Sequence, residues 1–219
     1  MLGKMSCLAC LDRLPIEPSA LAPFLLAVLL IELTPGPNMG YLAALSASQG
    51  HAAGFKAVLG VTLGLAFYML LAVLGVAEII AAAPFVYGAL RWAGVAYLLY
   101  LAWEAWRGAS ETSPDHSGET DHAPFWRGLL ANVLNPKALV FYVALLPGFI
   151  APDHAPFWVQ ALILGALHLA ISFVIHAMIV LGAAHAGALI SQSRSAASVR
   201  RVLAIGIALI ALWLAWETR

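Results

Sequence analysis

Long apolar stretches separated by short polar segments cover most of the chain. The six runs lie at 21–48, 57–83, 89–106, 125–150, 157–186 and 199–216. Each run is close to or above the roughly 20 residues that a helix needs to span a bilayer. All seven tryptophans lie near the ends of these runs, where aromatic side chains meet lipid headgroups. The pattern predicts an all-α polytopic membrane protein with six transmembrane helices.

Polar segments divide the chain into two halves. A tail at 1–20 precedes the first run, and a loop at 107–124, rich in Ser, Glu, Asp and His, follows the third run. We expect this loop to be solvated, although its two histidines leave metal binding open as a less favoured alternative. The chain therefore contains a first transmembrane repeat at 21–106 and a second at 125–219.

The first apolar run contains helix-breaking residues and one carboxylate, in the order Glu32-Leu33-Thr34-Pro35-Gly36-Pro37-Asn38. The two prolines lack a backbone donor and crowd the preceding turn, and the glycine between them loosens the chain further. In hydrocarbon, a broken helix persists only where its freed backbone groups are buried in protein or line a watery cavity. This stretch is therefore the first candidate for a site.

The fourth run carries a second break. Asn135 followed by Pro136 is typical of a helix N-cap with proline at the first helical position. Each half thus opens with a Pro-broken helix followed by two intact ones. Because each half has an odd number of spans, the halves have opposite orientations. This is the inverted-repeat plan of secondary transporters, whose binding sites lie where broken helices meet.

Composition and charge exclude several other classes. Hydrophobic residues make up 63% of the chain and charged residues only 10%, whereas soluble domains carry roughly 25% charged residues. The formal net charge is zero, which argues against a nucleic-acid partner. A membrane thiol–disulfide relay would need a cysteine near each break, and Cys7 and Cys10 both lie in the tail. We identify no nucleophile–base pair and no cofactor motif, so we do not expect an enzyme.

The ordered motifs resemble the LysE/RhtB family of amino-acid exporters over residues 21–216. They are Thr34 to Asn38, Gly54, Gly60, Gly64, Gly94-Val95-Ala96-Tyr97-Leu98, Phe125-Trp126-Arg127-Gly128 and Asn132 to Ala138. The resemblance implies a multi-pass protein of the bacterial cytoplasmic (inner) membrane that exports amino acids or related small metabolites, driven by an ion gradient. Two features depart from the family pattern: the long tail, and Glu32, which not every member carries.

The two charges beside the breaks suggest a site for a zwitterion. Glu32 lies in mid-helix, where a carboxylate costs roughly 2.5–3.5 kcal/mol on insertion scales, and it is a ligand for a substrate ammonium, a proton carrier, or the ion-pair partner of Lys137. Lys137 either meets the substrate carboxylate together with the amides at the start of its half-helix, or extends to the membrane interface. Asn38 and Asn135 either cap freed backbone groups or bind ligand.

The candidate residues fall into a binding set and a coupling set. The substrate-binding candidates are Glu32, Pro35, Gly36, Pro37, Asn38, Asn135, Pro136 and Lys137. The coupling candidates are Glu32, His168 and His176, because His168, Ser172 and His176 share one helical face and imidazoles can relay protons. Protons are the expected coupling ion; the oligomeric state, including a homo-oligomer, stays open. The alternative function is a divalent metal-cation exporter using Glu32 and these histidines, with Lys137 opposing it.

Overall fold

The computed structural model describes residues 14–34, 36–75, 83–110, 122–191 and 196–217, and all regular structure in these ranges is helical. The first 13 residues of the tail, with its two cysteines, and most of the polar loop lie outside the described residues. The α-helices are α1 (Pro18–Leu33), α2 (Pro37–Val73), α3 (Pro84–Ser110), α4 (Ala123–Val133), α5 (Pro136–Val140), α6 (Phe157–Ser191) and α7 (Ala196–Glu217). A π-helical turn at Phe141–Leu145 and a 3₁₀ turn at Leu146–Phe149 continue α5.

Among the described residues, two helices are long and apolar enough to cross a membrane, Pro37–Val73 and Phe157–Leu189. A third span results if Ala123–Val133 and Pro136–Phe149, which meet at a bend of 53°, are counted together. Two shorter apolar helices lie at Pro18–Leu33 and Trp92–Trp103. The described part of this membrane protein is therefore all-helical, with two or three membrane-length apolar helices, and the six spans that the apolar runs indicate stay a prediction.

Both predicted helix breaks are present, and the prolines explain their geometry. Steric crowding disfavours helical backbone at the residue before a proline. Thr34, Gly36 and Asn135 each precede a proline, and each is extended, with ψ of 119°, 175° and 109°. Pro37 and Pro136 then occupy the first helical position, where the missing N–H costs nothing.

Helix α2 bends at Gly50. Its φ of 82° and ψ of 179° fall in a region that is essentially restricted to glycine. The bend separates a segment at 37–49 from one at 51–73. It lies between the first and second apolar runs, so these runs correspond to two helical segments that meet at a kink.

The second segment of α2 packs closely against α4 and α6, while α3 packs against α7. Gly60 and Gly64, predicted to form a close-packing face, both lie against α4. A Cβ atom at Gly60 would lie 2.0 Å from the carbonyl oxygen of Phe125, and one at Gly128 would lie 2.3 Å from that of Ala57. The backbones of α2 and α4 thus touch, which fixes the position of the second break relative to α2.

Candidate substrate site

A polar cavity lies where the two breaks and α6 meet. It is small in this structure, with a volume of about 30 Å³, enough for one or two water molecules. The residues that line it are Ile31, Glu32, Gly36, Asn38, Met39, Leu65, Asn132, Asn135, Lys137, Ala138, Phe141, His168 and His176. Both broken helices and the intact helix α6 therefore contribute polar groups to one space.

Glu32 is the centre of a buried hydrogen-bond network on the α6 side of this cavity. One carboxylate oxygen is 3.0 Å from Nε2 of His168, and the other accepts a hydrogen bond from the Ser172 hydroxyl at 3.0 Å. The Ser172 hydroxyl also lies 3.2 Å from Nδ1 of His176, and the Tyr142 hydroxyl lies 3.0 Å from Nδ1 of His168. Glu32, only 8% exposed, is thus stabilised by neighbours on α6.

One assignment of protons satisfies the four hydrogen bonds of the network. With Glu32 ionised, His168 donates from Nε2 to the carboxylate and accepts the Tyr142 hydroxyl at Nδ1. Ser172 donates to Glu32 and accepts from Nδ1 of His176. Both histidines are then neutral, and Nε2 of His176, 3.8 Å from the carboxylate, is left as an acceptor. The network is therefore compatible with a carboxylate that has not taken up a proton.

Lys137 connects the second break to the first. Its Nζ donates a 2.9 Å hydrogen bond to the carbonyl oxygen of Thr34, the C-cap of α1. In a continuous helix this carbonyl would accept from the amide four residues later, so the lysine satisfies a group that the break frees. No ion pair within 4 Å joins Lys137 to Glu32 in the structure, and the lysine turns into the cavity rather than to the membrane interface.

The second break has an equivalent side-chain partner. The carbonyl of Val133, at the end of α4, accepts a 2.5 Å hydrogen bond from the Tyr68 hydroxyl of α2. Each break is therefore held by a side chain from the other half of the chain, as expected where freed backbone groups must be satisfied away from water.

The two helix starts at the cavity differ in how their amides are used. At α5, Asn135 accepts from the Lys137 amide at 3.0 Å through its side chain, and its carbonyl accepts from Ala138 at 3.1 Å. Asn135 is thus a helix cap. At α2, Gly36 supplies no side-chain cap, and Asn38 and Met39 of the first turn line the cavity. The positive end of the α2 dipole is therefore available to an anion.

Two buried asparagine side chains on the cavity wall carry atoms without a hydrogen-bond partner among the described residues. They are Oδ1 of Asn38 and both side-chain atoms of Asn132. Asn38 is 7% exposed and Asn132 only 1% exposed. Because an unsatisfied buried polar group costs about 1–3 kcal/mol, these atoms on the cavity wall favour a hydrogen-bonding occupant, either a ligand or water.

The structure brings together most of the residues that the sequence singled out. Glu32, Gly36, Asn38, Asn135, Lys137, His168 and His176 all line the cavity. Pro37 and Pro136 are buried beside it without lining it, and Pro35 lies outside the described residues. Sequence reasoning missed Asn132 as a site residue, and it also missed Tyr68 and Tyr142. Asn132 carried a signal, since it precedes the second break by three residues, but the two tyrosines lie in apolar runs without a pattern.

The fold and the site together define a helical membrane protein whose helices break around a polar, charged cavity. A family model described as LysE type translocator matches residues 29–218. The chain belongs to this family, which confirms the resemblance that the motifs carry; its members are transporters and not enzymes.

Several relatives are named membrane proteins or efflux proteins. The chain is 37% identical over 139 residues to an uncharacterized membrane protein of Pseudomonas aeruginosa, covering 60% of the chain and 64%, just under two thirds, of that relative. It is 33% identical over 156 residues to an uncharacterized membrane protein of Vibrio cholerae, covering 69% of the chain and 75% of that relative. It is 30% identical over 154 residues to the homoserine/homoserine lactone efflux protein of Salmonella typhimurium, covering 69% of the chain and 74% of that relative. No solved structure matches the chain.

Proposed function

We propose that the protein exports small amino-acid-like zwitterions across the bacterial cytoplasmic membrane, in exchange for protons. The proposal includes the plan of six transmembrane helices in two inverted three-helix repeats, at 21–106 and 125–219. The observation that carries it is the pairing of a buried carboxylate and a lysine ammonium on the walls of one cavity between two broken helices. The efflux function named for the Salmonella relative supports the direction and the substrate class.

The carboxylate of the substrate would bind between Lys137 and the N-terminus of α2. The Lys137 ammonium uses one of its three N–H donors on Thr34, and a Cβ atom at Gly36 would lie 3.6 Å from Nζ. The ammonium therefore lies beside the uncapped start of α2, where the helix dipole also favours an anion. The half-helix at α5, which the sequence favoured for this role, has its first amides occupied by Asn135.

The ammonium of the substrate would bind Glu32. This carboxylate accepts two hydrogen bonds from α6. Its two oxygens have about four lone pairs in all, so it can accept further hydrogen bonds from a substrate. A proton on Glu32 would remove the charge that attracts the ammonium, so proton uptake and substrate release become alternative states of one residue. His168, Ser172 and His176 extend from Glu32 along α6 and offer the proton a hydrogen-bonded path.

A divalent metal-cation exporter is the alternative that the same residues leave open. Within the described ranges, no group of three His, Cys, Asp or Glu side chains is arranged to hold a metal ion. The Lys137 ammonium on the same wall would also repel a cation. Neither observation favours metal transport. The efflux experiment below therefore includes divalent metals to test this alternative.

The test is efflux of preloaded homoserine, other amino acids or divalent metals from proteoliposomes under an imposed pH gradient. Glu32→Gln should slow amino-acid export roughly 10- to 100-fold, since a charge-assisted contact contributes about 1.5–3 kcal/mol, and should abolish the response to the gradient. Lys137→Met should abolish export while membrane insertion persists. Glu17→Gln, a matched control on an exposed carboxylate at the start of α1, should export like wild type. Wild-type export by the Lys137 variant, or efflux of metals alone, would contradict the proposal.

A further inference from the structure

Asn38 and Asn132 present hydrogen-bonding atoms that neither the protein nor the two ends of a zwitterion use. The unpartnered atoms are two acceptors, Oδ1 of each residue, and one donor, Nδ2 of Asn132. Both residues line the same cavity as Glu32 and Lys137. Native proteins leave few buried polar atoms unpaired, so three such atoms on one cavity wall need an explanation.

The surrounding backbone holds Asn132 in place. Its carbonyl accepts from the Asn135 amide at 2.9 Å and so closes the turn at the second break. A Cβ atom at Gly64 would lie 2.8 Å from both Cβ and Oδ1 of Asn132, so the absence of a side chain at Gly64 makes room for the amide. Asn38 lies in the first turn of α2, directly after the first break. Each break thus contributes one amide from a fixed backbone position.

We infer that Asn38 and Asn132 determine specificity by binding the side chain of the zwitterion, and that they select a short side chain carrying a hydroxyl or carbonyl group. This inference rests on the proposed function, because Glu32 and Lys137 take the two charged ends of the substrate. A hydroxyl both donates and accepts, and it can therefore satisfy an amide acceptor and the Asn132 donor together. An apolar side chain of the same size would leave these atoms unpaired, which is how hydrogen-bonding sites reject isosteres.

The experiment compares export of homoserine and norvaline, which differ by a hydroxyl in place of a methyl group. Wild-type protein in proteoliposomes should export homoserine about tenfold or more faster than norvaline, since unpaired buried groups penalise the apolar substrate. Asn132→Leu, which keeps the size and removes both polar atoms, should bring the ratio close to one. Asn38→Leu should lower the ratio independently, and it keeps the inference testable if the first variant does not fold. Thr62→Val is the matched control, because its hydroxyl bonds within α2 to Val58 at 2.8 Å, outside the cavity.

The ratio of the two rates is independent of how much protein is present, so it separates specificity from stability. An unchanged ratio in both asparagine variants, with homoserine still exported, overturns the inference and leaves the proposed function standing. Equal export of homoserine and norvaline by wild type also overturns the inference and leaves the proposed function standing. If wild type exports no amino acid, the proposed function fails and the inference fails with it.

Discussion

Replacing Gly60 with alanine should separate α2 from α4 and destabilise the protein. The added Cβ would lie 2.0 Å from the carbonyl oxygen of Phe125 and 2.7 Å from the amide nitrogen of Leu129. Ordinary van der Waals contact begins near 3.4 Å, so the two backbones must move apart by more than an ångström. Both atoms belong to the main chain of α4, and no side chain can rotate to relieve the contact.

The expected loss of stability is at the upper end of the range for overpacked interiors. Inserting a methylene into a packed core costs about 1–3 kcal/mol when side chains can adjust, and here only whole helices can. A loss of about 3 kcal/mol corresponds to a midpoint about 6–12 °C lower for a chain of this size. Gly128→Ala should give a similar shift, because its added Cβ would lie 2.3 Å from the Ala57 carbonyl in the same interface.

The measurement is thermal unfolding of detergent-purified protein, followed by fluorescence-detected size exclusion. Gly182→Ala on α6 is the matched control, because it is exposed and an added Cβ there meets no atom within 4 Å. The control should unfold within about 2 °C of wild type, as expected where no atom must move. If Gly60→Ala also unfolds within that interval, α2 and α4 are not in backbone contact and the reasoning is refuted.

Three further changes test the second break, the hydrogen-bond network of Glu32 and the start of α1. Tyr68→Phe should lower stability by about 1–3 kcal/mol in the same unfolding assay, because it leaves the last carbonyl of α4 unpaired. Ser172→Ala should weaken the response of export to a pH gradient more than it weakens homoserine binding, since the hydroxyl connects Glu32 to a histidine; equal losses would argue against the relay. Hydrogen bonds from the Ser19 hydroxyl and amide lower the pKa of Glu17 below its ordinary value of 4.5, so its stabilising effect should be present above that pH and disappear as the pH falls through the lowered pKa. Glu17→Gln should therefore flatten the acid limb of the unfolding midpoint plotted against pH.

Prolines and charges made much of this architecture predictable from the sequence. Pro37 and Pro136 act locally, so the positions of both breaks follow from steric rules that need no tertiary information. An ionisable side chain in an apolar run carries a free-energy cost, which is offset when such side chains pair with one another. The sequence places three of them in such runs, Glu32, His168 and His176. The structure does bring these three side chains together, whereas their roles in binding and coupling stay predictions.

The partners of the freed backbone groups were not predictable, because they depend on how distant helices pack. Tyr68 is one of several aromatic residues in apolar runs, and only the contact of α2 with α4 places its hydroxyl at Val133. Lys137 was expected to meet an anion, an ion-pair partner or the interface, and it instead reaches a carbonyl in the other half of the chain. The cap residue likewise determines whether the first backbone amides of a helix are hydrogen-bonded. Asn135 caps α5 through its side chain, whereas Gly36 leaves the start of α2 without a side-chain cap.

These cross-connections also explain how two broken helices can persist beside each other. The carbonyl freed at the first break is satisfied by Lys137 and the one freed at the second by Tyr68, so each break is stabilised by a side chain from the opposite half. Each bond contributes only about 1–3 kcal/mol, comparable to a single contact with a charged substrate. Because only one of the three N–H donors of Lys137 is used on Thr34, the proposed substrate carboxylate could bind this lysine while the bond to Thr34 is kept.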